Sequence, residues 1–175
     1  MWFWNPAPLS LGRLKAARAA VIVGALSLAG ALRAEVPLID HIVVHKAARE
    51  MVLYADGAAV HTITGIQLGD NPDGAKRYQG DERTPEGSYT IDYGNPQSSY
   101  HLSLHISYPD AEDTAYAAAH GRSAGGMIFI HGQPNSRTTG RELGDWTDGC
   151  IAVSNAEMEL LWETVGDGTP IDIMP

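Results

Sequence analysis

The chain has a single cysteine in 175 residues. A lone thiol excludes an intrachain disulfide framework, the usual state of cysteines that exported proteins keep, and it makes a poor zinc pattern because no Cys-x-x-Cys partner exists. Positive charge is scarce too, with 12 Lys and Arg against 21 Asp and Glu. Four of the basic residues and none of the acidic ones precede residue 35. Residues 35–175 therefore carry 8 basic and 21 acidic side chains, a charge near −13. That balance excludes nucleic acid, whose binding requires phosphates to be neutralised by Lys and Arg, and it argues against docking on anionic lipid. It suits a cationic partner or simply a soluble surface. Long apolar runs are missing: the uncharged stretch Ala19–Leu32 has 14 residues, short of the roughly 20 that a membrane span needs. The chain shows no internal repeat, no low-complexity tract and no second domain.

The short apolar stretch follows a basic start, Arg13, Lys15 and Arg18. It leads into small residues, Ala29-Gly30-Ala31 and Leu32-Arg33-Ala34. This order predicts an export signal over residues 1–34, cleaved after Ala34, with a single domain over 35–175 in the periplasm. The alternative is an uncleaved anchor. With cleavage, no stable membrane insertion is expected.

Residues 35–175 read as mainly β with two short helices. Ile42-Val43-Val44 is a short apolar run. Met51–Tyr54 and Ala59–Ile63 flank Asp56-Gly57, a pair that accepts the positive φ of a tight turn, so they predict a hairpin. Gly65–Gly80 reads as a polar loop and Thr84-Pro85-Glu86-Gly87 as a turn. Ser88–Tyr93 is the next predicted strand. Tyr100–Tyr108 alternates and predicts a strand with His101, Ser103 and His105 on a wet face. Asp110 caps a helix from Ala111 to Ala119, with Gly121 near its end. Ser154 and Glu157 form a Ser-x-x-Glu capping box opening a helix to Val165, whose Met158, Leu161, Trp162 and Val165 share one face. Met127–Ile130 and Ile171–Ile173 read as core strands.

The chemistry concentrates in Ile128-Phe129-Ile130-His131-Gly132 and Asp145-Trp146-Thr147-Asp148-Gly149-Cys150-Ile151. His131 ends an apolar strand; Cys150 follows a Thr-Asp-Gly turn. A nucleophile needs a base within reach and backbone N–H groups for the developing oxyanion, and the N–H groups of Gly149 and Cys150 are the candidates. Gly149 lets the backbone come close to a substrate. The thiolate is the reactive form, and an imidazolium at His131 would raise its population. The other ring nitrogen of His131 needs an orienting acceptor, for which the Gly132 carbonyl is placed. A buried, inert Cys150 is the alternative.

His131-Gly132, fifteen intervening residues and then Thr147-Asp148-Gly149-Cys150-Ile151 resemble the active-site motif of the L,D-transpeptidases, the family with the YkuD-type catalytic domain. Gly80-Asp81-Glu82-Arg83-Thr84-Pro85-Glu86-Gly87-Ser88-Tyr89 resembles that family's "GD-x-RTPEG-x-Y" segment, and Leu102–Pro109 resembles another. The resemblance runs from about Ile39 to Ile173. It implies a compact YkuD-like β-sandwich and an acyl-cysteine mechanism on peptidoglycan stem peptides, with Cys150 as nucleophile, His131 as base and Gly132 supplying the orienting carbonyl. It implies no metal or organic cofactor. Amine acceptors would make the chain a transpeptidase. Water would make it an amidase or carboxypeptidase, for instance one releasing a wall-linked lipoprotein. A non-catalytic wall-binding domain is the third reading. Two departures bear on substrate. Asp148 stands where many members have His, with Thr147 keeping the hydroxyl of their Ser; and no Arg follows Cys150, leaving Arg141 as the loop residue that could take its place.

The remaining residues have plainer readings. His101 and His105 form a polar strand face without a third metal ligand. Trp146 either lines a groove or fills core. Asp81 and Arg83 read as an ion pair or turn anchor, with Arg83 as a further candidate to reach substrate, and Lys76 and Arg77 as solvated loop charges.

Overall fold

A computed structural model describes residues 1–3 and 37–175. Beyond the first three residues, the expected export signal and its cleavage point lie outside the described residues. Among the described residues, no helix is long and apolar enough to cross a membrane.

Strands β1 (His41–His45), β2 (Glu50–Ala55) and β3 (Ala58–Thr64) open the fold as an antiparallel meander. The β2–β3 turn forms where expected because Asp56 and Gly57 both adopt positive φ, 51° and 74°, which matches the twist of the flanking strands. Next come β4 (Gly87–Asn95), β5 (Ser103–Ile106), α1 (Ala111–Ala119), β6 (Ile128–His131), β7 (Ile151–Ala152), α2 (Asn155–Thr164) and β8 (Pro170–Met174). Both helices begin with capping boxes. Asp110 accepts from Asp113 N–H at 2.8 Å, and Ser154 accepts from Glu157 N–H at 3.3 Å while Glu157 accepts from Ser154 N–H at 2.8 Å. These bonds satisfy donors that a helix start leaves without intrahelical partners.

The eight strands form one hydrogen-bonded order, β3-β2-β1-β8-β4-β5-β6-β7. The sheet turns at β4. Its first residues, Gly87–Thr90, pair with β8, and Ile91–Asn95 pair with β5, with an irregularity between Ile91 and Tyr93. Such a bulge adds local bend. Buried residues of both halves and of α2 then meet in one core, including Ile42, Leu53, Leu104, Ile130, Ile151, Met158 and Leu161. Each fully buried Ile or Leu contributes about 1.5–3 kcal/mol relative to exposure. The mainly β, two-helix, single-domain expectation holds.

The strand expected over Tyr100–Tyr108 is shorter, Ser103–Ile106. His101 lies before it at φ 69°, outside strand geometry. The expected wet face is largely covered. Ser103 is buried, and His105 donates from Nδ1 to Asp92 Oδ1 (2.6 Å) between the rings of Tyr93 and Phe129. The alternation was real, but β5 lies between β4 and β6, and side chains of its neighbours cover it on both faces.

Candidate active site

The site is built on the parallel pair β6–β7. Ile130 faces Ile151 and His131 faces Ala152. This register sets Cys150, one residue before β7, beside Phe129. Phe129 and His131 are two apart on the same strand, so their side chains leave the same face. The Phe129 N–H donates to Cys150 Sγ at 3.4 Å, and the thiol approaches the Met127 carbonyl at 3.7 Å. Cys150 and His131 both line a cleft of about 750 Å³ together with Trp146, Thr147 and Asp148.

His131 is held on every side. Its Nδ1 lies 2.7 Å from the Gly132 carbonyl. A carbonyl only accepts, so Nδ1 carries the proton and the lone pair of the neutral ring sits on Nε2. Tyr100 stacks on the imidazole with centroids 4.6 Å apart, and Trp146 meets it edge-on at 5.5 Å. Of the two expected places, groove lining or core, Trp146 takes the first: it lines the cleft, half-buried, and packs against His131. The Gly132 position has no space for a side chain. A Cβ there would lie 2.7 Å from Asn155 Oδ1 and 3.0 Å from the Tyr100 carbonyl.

The turn before Cys150 is tied by Thr147. Its hydroxyl donates to the Cys150 carbonyl at 2.7 Å and accepts from Gly149 N–H at 3.2 Å. Gly149 has φ 125°, and a Cβ there would stand 2.4 Å from the Arg83 carbonyl. The close approach expected of Gly149 is therefore to this chain's own backbone. Its N–H is engaged by Thr147; of the two N–H groups expected to serve an oxyanion, that of Cys150 has no acceptor among the described residues.

The electrostatics differ from an ion pair formed in advance. Burial pushes the Cys150 thiol up to about 11; the Phe129 N–H and Lys76 oppose the rise, and Asp148 adds to it. Burial also lowers the pKa of His131, which is 3% exposed, against the pull of the Gly132 carbonyl. Both shifts favour the neutral form of each group, which runs against an imidazolium that would depress the thiol. Low dielectric around the pair disfavours both charged forms. The chemistry this allows is proton transfer from thiol to Nε2 during attack.

Other predicted residues go to different places. Asp148 is exposed at the cleft rim beside Glu82, whose pKa is raised by burial and then by the Asp148 charge. Arg141 is not brought to the cleft. Its guanidinium donates to the carbonyls of Thr64 and Gly65 and to Glu157, on a separate groove. Lys76, read as solvated, is buried, with Nζ on Asp81 Oδ1 at 2.9 Å and on the Tyr78 carbonyl at 3.2 Å. The reason is tertiary: its loop forms part of the cleft lining, and Asp81 of the same loop closes on its ammonium group. Asp81 is the expected turn anchor, accepting also from the N–H groups of Arg77, Tyr78 and Arg83, but its ion pair is with Lys76 rather than Arg83. Arg77 does lie at the surface, over the Tyr116 ring. Sequence reasoning missed Tyr100, Glu82 and Lys76 as cleft residues. Glu82 sits inside the motif segment, but nothing local to the other two marked them.

A model of the L,D-transpeptidase catalytic domain (YkuD) matches residues 39–173, over three quarters of the chain. Among solved structures, the helical cell shape determining protein Pgp2 from Campylobacter jejuni is 27% identical with a TM-score of 0.58, over 80% of this chain and 50% of that one. Bd1075 from Bdellovibrio bacteriovorus is 24% identical with a TM-score of 0.54, over 79% and 51%. An L,D-transpeptidase from Xylanimonas cellulosilytica is 16% identical with a TM-score of 0.50, over 78% and 61%, a likeness of fold alone. The chain spans about half the length of the first two. No curated protein matches it.

Proposed function

The chain belongs to the L,D-transpeptidase (YkuD) catalytic-domain family, and on that premise we propose that it is an exported cysteine acyltransferase of peptidoglycan. The observation that carries the reading is the fixed tautomer of His131, a residue that lines the same cleft as Cys150. In the first step, Sγ attacks the carbonyl carbon of a stem-peptide bond while its proton passes to His131 Nε2. The oxyanion faces the Cys150 N–H. The C–N bond then breaks, the departing amine takes the proton from His131, and a thioester on Cys150 remains. An incoming amine attacks that thioester, gives its proton to His131, and the C–S bond breaks to regenerate the thiol. Catalysis of both proton transfers by one positioned base contributes typically 10²–10⁴-fold.

The family membership and the presence of His131 and Cys150 in the lining of one cleft support an enzyme over a wall-binding module. Likeness to a protein described as determining helical cell shape supports a role in cell form. Export rests on the basic start and short apolar run of residues 13–32. N-terminal sequencing of the mature protein checks it, with Glu35 as the expected first residue.

The decisive experiment for the chemistry uses the single thiol. A carbapenem should add one equivalent of mass to the protein and none to Cys150→Ser. Mass spectrometry of muropeptides after incubation then reads the acceptor: cross-linked or exchanged products identify an amine, tripeptides or released lipoprotein peptides identify water. An adduct on the serine variant would refute Cys150 as nucleophile.

A further inference from the structure

The Gly132 carbonyl that accepts from His131 Nδ1 is one half of a peptide unit. The other half is the Gln133 N–H, which donates to Asn155 Oδ1 at 2.8 Å. Three groups therefore stand in line: the imidazole N–H, the Gly132–Gln133 peptide and the Asn155 carboxamide. A backbone N–H can only donate, so the oxygen of the carboxamide, not its nitrogen, is the atom that faces it. Asn155 is the first residue of α2, just after the Ser154–Glu157 capping box, so its backbone is held by the helix start.

Glycine at position 132 makes room for this arrangement, since a Cβ there would lie 2.7 Å from Asn155 Oδ1. Neighbouring bonds hold the segment through other groups. The Gly132 N–H donates to the Leu102 carbonyl at 3.2 Å, and the buried Gln133 side chain donates to the Val153 carbonyl at 2.7 Å. Among the described residues, the Gly132–Gln133 peptide itself has one bond at each end, to His131 and to Asn155. A peptide whose N–H donates is a stronger acceptor at its oxygen, because successive hydrogen bonds polarise one another. Without Asn155 the Gln133 N–H loses its partner, and the carbonyl that holds the imidazole is free to turn. Asn155 does not line the cleft.

We propose that Asn155 is a positioning residue for the base: through the Gly132–Gln133 peptide it fixes the plane of the carbonyl that holds His131 Nδ1–H, and so sets the orientation of the imidazole. This rests on the reading of His131 as the general base of acyl transfer. It adds a third side chain to the Cys150–His131 pair, one that acts from outside the cleft. No charged side chain hydrogen-bonds to His131 or Asn155 among the described residues. The titratable groups around them are Tyr100 on the imidazole, Cys150, Asp148, Glu82 and Lys76 in the cleft lining, and His101 beside Gly132, paired with Glu159 of α2.

The test compares two variants. Asn155→Leu keeps the shape of the side chain and removes the acceptor. Asn155→Asp keeps the acceptor and adds a negative charge, which a helix start favours. Proton NMR reads the hydrogen bond itself, with the His131 Nδ1–H resonance identified as the ring signal missing from His131→Gln. That resonance should move upfield or broaden away in Asn155→Leu and move downfield in Asn155→Asp. Acylation by a carbapenem reads the consequence. In Asn155→Leu the limiting rate should fall about tenfold or more, the effect of a misplaced reacting group, while the half-saturating carbapenem concentration stays near the wild-type value. Asn155→Asp should restore most of the lost rate at neutral pH. Its acid limb should begin at higher pH than that of the wild type, because a carboxylate two hydrogen bonds away favours the imidazolium. A general loss of structure would move rate and half-saturation together and would leave that limb in place. In His131→Gln protein, adding Asn155→Leu should slow acylation no further. An unmoved Nδ1–H signal, or a moved signal with an unchanged limiting rate, overturns the proposal. If Asn155→Leu does not fold, Asn155→Asp decides alone, and an unshifted signal with an unshifted acid limb overturns it. A wild type that never acylates overturns the acyl-transfer reading, and the NMR comparison still decides whether Asn155 orients His131.

Discussion

Thr147→Val tests whether one hydroxyl holds the nucleophile turn. The side chain is 4% exposed, and valine keeps its shape while removing Oγ1. Two groups then lose their partner: the buried Gly149 N–H, 3.2 Å from the oxygen, and the Cys150 carbonyl, 2.7 Å from it. A buried polar group left unmet costs about 1–3 kcal/mol. The Cys150 carbonyl is only partly buried and lies at the low end of that range. The added methyl group returns up to about 0.8 kcal/mol. The net is a loss of about 1–3 kcal/mol. At about 2–4 °C per kcal/mol for a domain of this size, thermal unfolding followed by circular dichroism should fall by roughly 2–12 °C. Thr147→Ser retains both hydrogen bonds and should fall by less than half as much. Acylation of Cys150 by a β-lactam, read by mass, should slow in the valine variant by about tenfold or more, because small displacements of a reacting group are amplified in rate. A valine variant that melts within a degree of wild type and acylates at the same rate would refute the argument. The turn would then owe its shape to Gly149 and to the backbone hydrogen bonds of Trp146 and Thr147 with the Leu68 carbonyl.

The charge states give four further expected outcomes. Alkylation of Cys150 by iodoacetamide should climb through about pH 11, with a thiolate fraction of about 10⁻⁴ at pH 7; an inflection at or below about 8.5, the ordinary cysteine value, would show that burial does not govern this thiol. His131→Gln should slow acylation about 10²-fold or more while leaving that alkylation profile nearly unmoved. In the wild type the base works when neutral and its pKa is lowered from 6.5 by burial, so acylation should persist below pH 6.5 and decline only as acid protonates His131; a decline that begins above 6.5 would contradict this. Burial opposes ionisation of Asp81, but the Arg77, Tyr78 and Arg83 N–H groups and Lys76 hold its pKa below the usual value. A depressed folded-state pKa contributes stability above about pH 3.9 that is lost as pH falls through the lowered value. Asp81→Asn should therefore flatten the acid limb of stability in urea unfolding, and an unchanged limb would exclude Asp81 as a source of it.

By itself the sequence determined what short-range physics controls. Asp56-Gly57 dictated a hairpin through φ alone, and Asp110 and Ser154 started both helices with side chains that reach their own backbone. His131, Gly132, Thr147 and Cys150 could be singled out as candidates because each stands at a strand end or turn whose neighbours mark it. Tertiary structure decided everything that depends on who else is nearby. The β5 alternation predicted a wet face, but flanking strands covered it. Arg141, a free loop arginine in the sequence, was claimed by Glu157 and two carbonyls, while Lys76, equally polar in its setting, was folded under the cleft with one donor left open. The sign of the shift at Cys150 belongs to the same class. A neighbouring imidazole predicted a lowered thiol pKa, but burial of both groups removed the charge that would have lowered it. Burial and dielectric are set by residues far apart in the chain, and they decided the charge of the two residues that sequence could name.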